Sequence, residues 1–497
     1  MLFNSFDFLI FFPIVCILYY VINYRFRYLF LLAASYYFYM CWNPKYALLM
    51  LASTVITYLS GIFIHYADGL PDEGRRKMLK KCFLVLSFSL NLGILFFFKY
   101  FNFAVDSLNR VLSGIQLKTV NAGFDVILPV GISFYTFQAL SYTVDVYRGD
   151  IYREKNFFKY ALFVSFFPQL VAGPIERSKN LLRQISVRHS FDVKRVQYGL
   201  TLMLFGLFQK MVISDNAALI VNQVYDNHSK YGSVELIFAT VLFAFQIYCD
   251  FGGYTNIAIG AAKVMGFELM ENFNTPYLAD SVTDFWRRWH ISLTSWFRDY
   301  LYIPLGGNRK GRIRKYINIM AVFLTSGLWH GASWHYVVWG GINGIYQIAE
   351  DLLKPVYNRL CRLFDVDKRT FSHRFAKAVI AFVLVDISWI FFRADGVGQA
   401  LAIIKGICTR WDFTVLLNNG LLTLGMDRQQ SVILVVSLFV LLFTDICRYL
   451  KVDLIGQLCR QEIWFQYGVY LLFIFAILIF GSYGPGFDAS QFIYFQF

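Results

Sequence analysis

Long apolar stretches separated by short basic ones run the length of the chain. "FDFLIFFPIVCILYYVI" (Phe6–Ile22), "FLVLSFSLNLGILFFF" (Phe83–Phe98) and "SVILVVSLFVLLFTDI" (Ser431–Ile446) are three of them. Crossing a bilayer takes roughly 20 apolar residues, and about ten or eleven usable segments can be marked out by that measure. Lipid offers no partners to backbone polar groups, so each segment has to satisfy its own amides as a helix. The pattern predicts an all-α polytopic membrane protein, one membrane domain over residues 1–497.

The basic clusters set a threading. Lys and Arg gather in "GRRKMLKK" (Gly74–Lys81), "IERSKNLLRQISVRH" (Ile175–His189), "GGNRKGRIRK" (Gly306–Lys315) and across Lys354–Lys377. Short basic loops belong on the cytoplasmic side. Three helices then lead to Gly74–Lys81, and Phe83–Phe98 leads out to a polar external loop at Asn102–Gly123. Val126–Val146 returns inward. The first apolar run has no basic residue before it and Arg25 and Arg27 after it, so it reads as an uncleaved helix with its N-terminus outside.

Two segments do not fit as plain spans. Phe157–Ala172 begins and ends beside basic clusters, and its tail "FPQLVAGPIER" carries Pro168, Gly173 and Pro174, which break helices. Residues 316–349 contain no Lys, Arg, Asp or Glu, yet basic loops flank them on both sides. As one helix, Ile317–Ala349 would be about 50 Å long at 1.5 Å per residue, against a hydrocarbon core of roughly 30 Å. Gly327, Gly331, Gly340, Gly341 and Gly344 lie within it. A re-entrant first segment and a doubled-back helix pair in the second are expected, each lining a cavity in the protein.

Composition agrees. Of 497 residues, 57% are hydrophobic and only 16% charged, against roughly 25% charged in soluble domains. The net charge of +14 would suggest nucleic acid in a soluble protein, but the loop clusters explain it without a nucleic-acid partner. The eight cysteines lack C-x-x-C spacing and read as buried free thiols, with no metal site.

Candidate chemistry falls on two histidines. "DFWRRWHISLTSWFRDYLYIPLGG" (Asp284–Gly307), read as one helix capped by Asp284, puts Trp286, Trp289, His290, Leu293, Trp296, Phe297 and Tyr300 on one stripe. Arg287, Arg288, Ser292, Ser295, Arg298 and Asp299 fall on the other side, as in an amphipathic helix at the inner interface. His330, in "SGLWHGASWH" (Ser326–His335), is the stronger candidate. Ionisable groups at membrane depth are expensive and each is a hypothesis about function. A neutral imidazole in a dry channel can take a proton from a hydroxyl and return it to a leaving group. Gly331 and Ala332 would let a substrate or backbone approach, and an amide near Gly331 could hold an oxyanion. His335, five positions on, reads as structural. Asp250 reads as a polar anchor for packing or for a cavity. H-E-x-x-H, G-x-S-x-G and Walker patterns are missing.

Taken together, "FPQLVAGPIER", "YCDFGGYTNIAIG", "NFNTPYLADSVTDFWRRWHISLTSWFRDYLYIPLGG", "GLWHGASWHYVVWGGINGIY" and the closing "FIYFQF" resemble bacterial membrane-bound O-acyltransferases (MBOATs) of the alginate O-acetyltransferase type. The resemblance spans essentially the whole chain in collinear order. It implies an MBOAT-like helical ring with re-entrant or broken helices around a transmembrane tunnel, with His330 as the family's invariant histidine and His290 as its second. It also implies an acyl group taken from a cytoplasmic thioester, acetyl-CoA as co-substrate rather than a bound cofactor, and a hydroxyl acceptor on an extracytoplasmic polysaccharide. A separate extracytoplasmic esterase-fold acetyltransferase is the partner such relatives use.

On this reading the CoA phosphates would meet the basic inner face at Arg287, Arg288, Arg309 and Lys310. Two other functions stay open at this point. D-alanyl transfer from a carrier protein to teichoic acid is a related chemistry, and a transporter or export pore belongs to another class. Transporters often show two related halves, and no internal repeat is visible here.

Overall fold

The computed structural model describes residues 1–120, 129–171, 173–418, 420–483 and 493. All regular elements among them are helical. Among the described residues seven stretches are long and apolar enough to cross a membrane: Pro44–Asp68, Glu73–Gly114, Val193–Asp226, Ser233–Val264, Phe371–Arg393, Arg428–Tyr449 and Ile463–Phe480. The larger number expected from the apolar runs shrinks because several runs form helices too short to be counted, such as Phe6–Val21, Ile132–Arg148 and Phe157–Ser165.

Contacts divide the chain into two compact units. The first is built mainly from Met1–Leu200 with Ala258–Met270, the second from Thr201–Ile257 with Glu271–Gln496.

In the first unit three helices, Phe6–Val21, Arg27–Met40 and Pro44–Asp68, precede the basic Gly74–Lys81 cluster as the threading requires. Ser5, Asn43 and Asp72 cap helix starts by accepting backbone N–H groups, which gives otherwise orphaned donors a partner. The expected external loop at Asn102–Gly123 is instead helical as far as Gly114, after a π-helical turn at Phe96–Tyr100. "SLNRVLSG" is polar because this helix buries none of its residues, not because the chain leaves the helix. The first part of Val126–Val146 lies outside the described residues, and the helix there runs Ile132–Arg148.

The segment from Phe157 breaks as expected. Phe157–Ser165 is followed by a short turn, Phe167–Leu170, both mostly buried, with the break at Phe166 just before Pro168. A break strands helix carbonyls. The Phe163 carbonyl is captured by the side-chain amides of Gln138 (2.5 Å) and Gln169 (3.0 Å), and the Phe167 N–H by Ser35 Oγ (3.1 Å). The irregular backbone is therefore satisfied inside protein, the condition for tolerating it at membrane depth.

In the second unit the doubled-back pair is present. Arg312–His330 and Trp334–Leu363 are separated by three residues, with the backbone extended at Gly331 and Ser333. Glycine makes the close crossing: a Cβ at Gly327 would be driven into the Tyr336 carbonyl oxygen, and one at Gly340 into that of Phe323. All eight cysteines are free, but only Cys249 and Cys361 are buried. Apolar surface faces outward in a membrane protein, so an apolar neighbourhood does not imply burial.

Candidate functional site

The helix expected over Asp284–Gly307 is broken at the histidine it was expected to carry. Ser281, not Asp284, caps Val282–Arg288, and a second helix, Ile291–Phe297, continues into a π-helical turn at Arg298–Tyr302. His290 sits between them at φ +44°, ψ +53°. A left-handed conformation costs a non-glycine residue about 1–2 kcal/mol, so something must hold it. The extended stretch around Asn272 does so: Asn274 N–H donates to the Arg288 carbonyl and Ile291 N–H to the Asn272 carbonyl, both at 2.9 Å. The aromatic stripe survives the break, with Trp286, Trp289, His290, Leu293, Trp296 and Phe297 all buried. Ser292, expected on the polar side, is buried too, its hydroxyl and N–H both bonded to the Asn272 side chain.

His330 ends the Arg312–His330 helix and is 3% exposed. Trp329 and Trp339 stand nearly perpendicular to its ring with centroids at 5.0 Å, and Phe392 lies at 5.4 Å. Trp389 stacks on Trp339 at 5.7 Å and closes the shell from behind. The His290 ring lies 6.4 Å from His330, its centroid 4.7 Å from Phe251 and 6.5 Å from Phe273. Two imidazoles forty positions apart in sequence thus share one aromatic enclosure.

His290 lies outside the seven candidate spans and is wholly buried; desolvation pushes its pKa down to about 3, so it is neutral. Its Nδ1 lies 3.0 Å from Asn272 Oδ1, which also accepts from Ser292 Oγ at 2.8 Å and Ser292 N–H at 3.2 Å.

Gly331 does not supply the expected opening. A Cβ there would meet the Tyr336 ring, and the Gly331 N–H donates to the Gly327 carbonyl at 3.3 Å, so of the amides near Gly331 its own is already engaged. It closes the C-terminus of the helix instead. His335 is structural as expected, its Nδ1 bonded to the Phe391 carbonyl at 2.9 Å.

The four cations lie apart from this enclosure in character. Arg287, Arg309 and Lys310 are exposed. Arg288 is half-buried and committed: its guanidinium bonds Asp284 at 2.7 Å and Thr275 Oγ1 at 3.3 Å, over the Tyr449 ring.

Sequence reasoning gave no role to Asn272, Phe251 or Phe392, and put Ser292 on the polar face of a helix. Asn272 and Phe392 lie 18 and 62 positions from their respective histidines, beyond any helical period, and Phe392 sits in an apolar run that reads as ordinary span. Lys210 was missed for the same reason. It lies in the π-helical turn Gln209–Ser214 and pairs with Asp250 (2.5 Å) and Asp215 (2.7 Å), making Asp250 the polar anchor its sequence context suggested.

Residues 151–391, which hold both histidines, match the membrane-bound O-acyltransferase family. The chain is 39% identical to a probable alginate O-acetylase of Pseudomonas putida, covering 80% of this chain and 79% of that one. It is 33% identical to a peptidoglycan O-acetyltransferase of Helicobacter pylori over 78% and 75% of the two chains. A teichoic acid D-alanyltransferase of Bacillus subtilis is 27% identical over 42% and 56%. An all-helical, multi-pass architecture with paired histidines in a dry aromatic enclosure fits those likenesses, and the chain belongs to the membrane-bound O-acyltransferase family, enzymes that transfer acyl groups to hydroxyls.

Proposed function

We propose that the protein moves an acetyl group from a cytoplasmic thioester, acetyl-CoA, across the bacterial inner membrane toward a hydroxyl of an extracytoplasmic polysaccharide. A separate esterase-fold protein outside would complete the transfer, and the N-terminus would lie outside. The observation that carries this reading is the meeting of His330 and His290, 6.4 Å between ring centroids, at the broken tip of a helical hairpin. Plain spans have no need of such a break, and an uncharged imidazole there is suited to proton transfer.

In the proposed step the acceptor hydroxyl attacks the thioester carbonyl while His330 takes its proton. The tetrahedral intermediate then expels CoA thiolate, which recovers that proton. His330 is the last residue of its helix, and the carbonyl end of a helix favours the positive charge that appears on the ring. His290 assists from the same enclosure. The likeness to O-acetyl-transferring relatives covers most of both chains, whereas the D-alanyltransferase likeness covers less than half of this one. That difference supports acetyl over D-alanyl.

Protein reconstituted in vesicles and supplied outside with labelled acetyl-CoA, or in parallel with a D-alanyl carrier protein, separates the two. With the esterase-fold partner enclosed in the lumen, acetyl label reaching a lumenal polysaccharide acceptor is expected. Transfer of D-alanine alone would reassign the donor.

A further inference from the structure

Asn272 makes the shortest side-chain hydrogen bond described at His290, 3.0 Å from Oδ1 to Nδ1, with Ser292 Oγ at 3.5 Å from the same nitrogen. We propose that Asn272 is a positioning residue: its carbonyl oxygen fixes His290 as the Nδ1–H tautomer and leaves Nε2 as the basic nitrogen of the ring. The inference rests on the role given to His290 above.

The argument runs through hydrogen-bond chemistry. A histidine tautomer is set by what its nitrogens face. The backbone N–H of Ser292 can only donate, and it meets the Asn272 side-chain atom at 3.2 Å, so that atom is the oxygen and not the amide nitrogen. Ser292 Oγ, a donor at 2.8 Å, agrees. An amide oxygen only accepts, so His290 Nδ1, 3.0 Å away, carries a proton. A neutral imidazole has one N–H, and Nε2 on the far side of the ring is then unprotonated.

Three further observations tie the grip to function. Asn272 is 1% exposed, so water does not compete for its oxygen. The same residue's backbone carbonyl receives Ile291 N–H, so it also braces the left-handed backbone of His290. Strained backbone of this kind concentrates at functional sites. Finally, only the oxygen of the amide is used. Asn272 Nδ2 is buried without a hydrogen-bond partner among the described residues, a cost of about 1–3 kcal/mol that a purely stabilising contact would not carry.

The mechanism therefore uses both ring nitrogens. Nδ1–H anchors the ring, and Nε2 receives or relays the proton beside His330.

Asn272→Asp and Asn272→Leu test this, compared per folded molecule by size-exclusion recovery in detergent. Aspartate keeps the shape and the acceptor. Its charge favours the imidazolium, so the His290 pKa rises and the neutral, active form is reached only at higher pH. Any acid-side fall of kcat/KM that reports His290 should therefore begin at a higher pH than in the unaltered protein, whose His290 titrates only near pH 3. Leucine lacks the acceptor, and its activity should fall at least 30-fold at every pH.

A direct readout avoids activity altogether. In protein labelled with ¹⁵N-histidine, with His290→Gln used for assignment, His290 should show a protonated Nδ1 and a bare Nε2, and this pattern should be lost in Asn272→Leu. A protonated Nε2 in the unaltered protein, or an Asn272→Asp profile that superimposes on it, would overturn the proposal. Should His330→Ala stay active, the catalytic reading above fails instead, and the ¹⁵N pattern still decides what Asn272 does.

Discussion

Lys210 and Asp250 form an ion pair at 2.5 Å with side chains 2% and 1% exposed, and the ring of the next residue, Phe251, stands nearly perpendicular to that of His290. Asp215 joins the same ammonium at 2.7 Å, and the Ile493 N–H donates to the other Asp250 oxygen at 2.7 Å. Removing Lys210 strands two buried carboxylates. Lys210→Met is expected to cost roughly 3–5 kcal/mol, the usual penalty for breaking a buried pair from one side. Lys210→Met combined with Asp215→Asn and Asp250→Asn removes all the charges together and should recover much of that loss. Thermal unfolding in detergent, followed by tryptophan fluorescence, reads both. A single variant as stable as the parent would show that the triad is not structural.

The three histidines of the hairpin region should separate by role. His330→Ala is expected to lower transfer by about 10²–10⁴, the range of a lost general base, with normal insertion and unfolding temperature. His290→Ala should reduce it less. His335→Ala removes a bond to the Phe391 carbonyl, worth about 1 kcal/mol, and should lower stability while turnover per folded molecule changes little. Labelled-acetate transfer in vesicles, normalised to inserted protein, distinguishes the three. Full turnover in His330→Ala would remove the proposed base.

Two adjacent glycines in the hairpin give a sharp contrast. At Gly340 a Cβ would strike the Phe323 carbonyl, whereas at Gly341 it would meet Leu324 Cδ2 at an ordinary 3.7 Å. Gly340→Ala should force the helices apart and reduce both stability and transfer. Gly341→Ala should be neutral or mildly stabilising, since alanine suits a helix better by about 1 kcal/mol. Equal tolerance at both positions would mean that the crossing is looser than described.

Much of this was legible in the sequence because membrane physics is strict. Flanking charges, helix length and the placing of glycine and proline together argued that Phe157–Ala172 and Ile317–Ala349 are not plain spans, and both are broken near those residues. His330 stood out because an imidazole in a long uncharged run needs a reason. The kink at His290 was not legible: a sequence with sound helical periodicity was read as one helix, and the pairing of residues 272–274 with 288–291 that breaks it is a tertiary contact. The same limit hid Asn272, Phe251 and Phe392, which reach the histidines from other elements. "SLNRVLSG" misled in the opposite direction, since polar residues on an unburied helix look like a loop.

The cations at the proposed donor site divide by what already holds them. Arg288 is tied to Asp284 and Thr275, while Arg287, Arg309 and Lys310 are exposed. Only the last three have charge to offer a CoA phosphate, and exposed charges act over about a Debye length, ~8 Å at physiological salt. Arg287→Ala, Arg309→Ala and Lys310→Ala together should raise KM for acetyl-CoA about tenfold or more, with kcat little changed and the salt dependence of KM reduced. S-acetyl-pantetheine carries the same thioester without phosphates, so its KM should be indifferent to the triple variant. Arg288→Ala should instead lower the yield of folded protein by freeing Asp284. Equal losses with both donors would show that these residues shape the enclosure and do not bind phosphate.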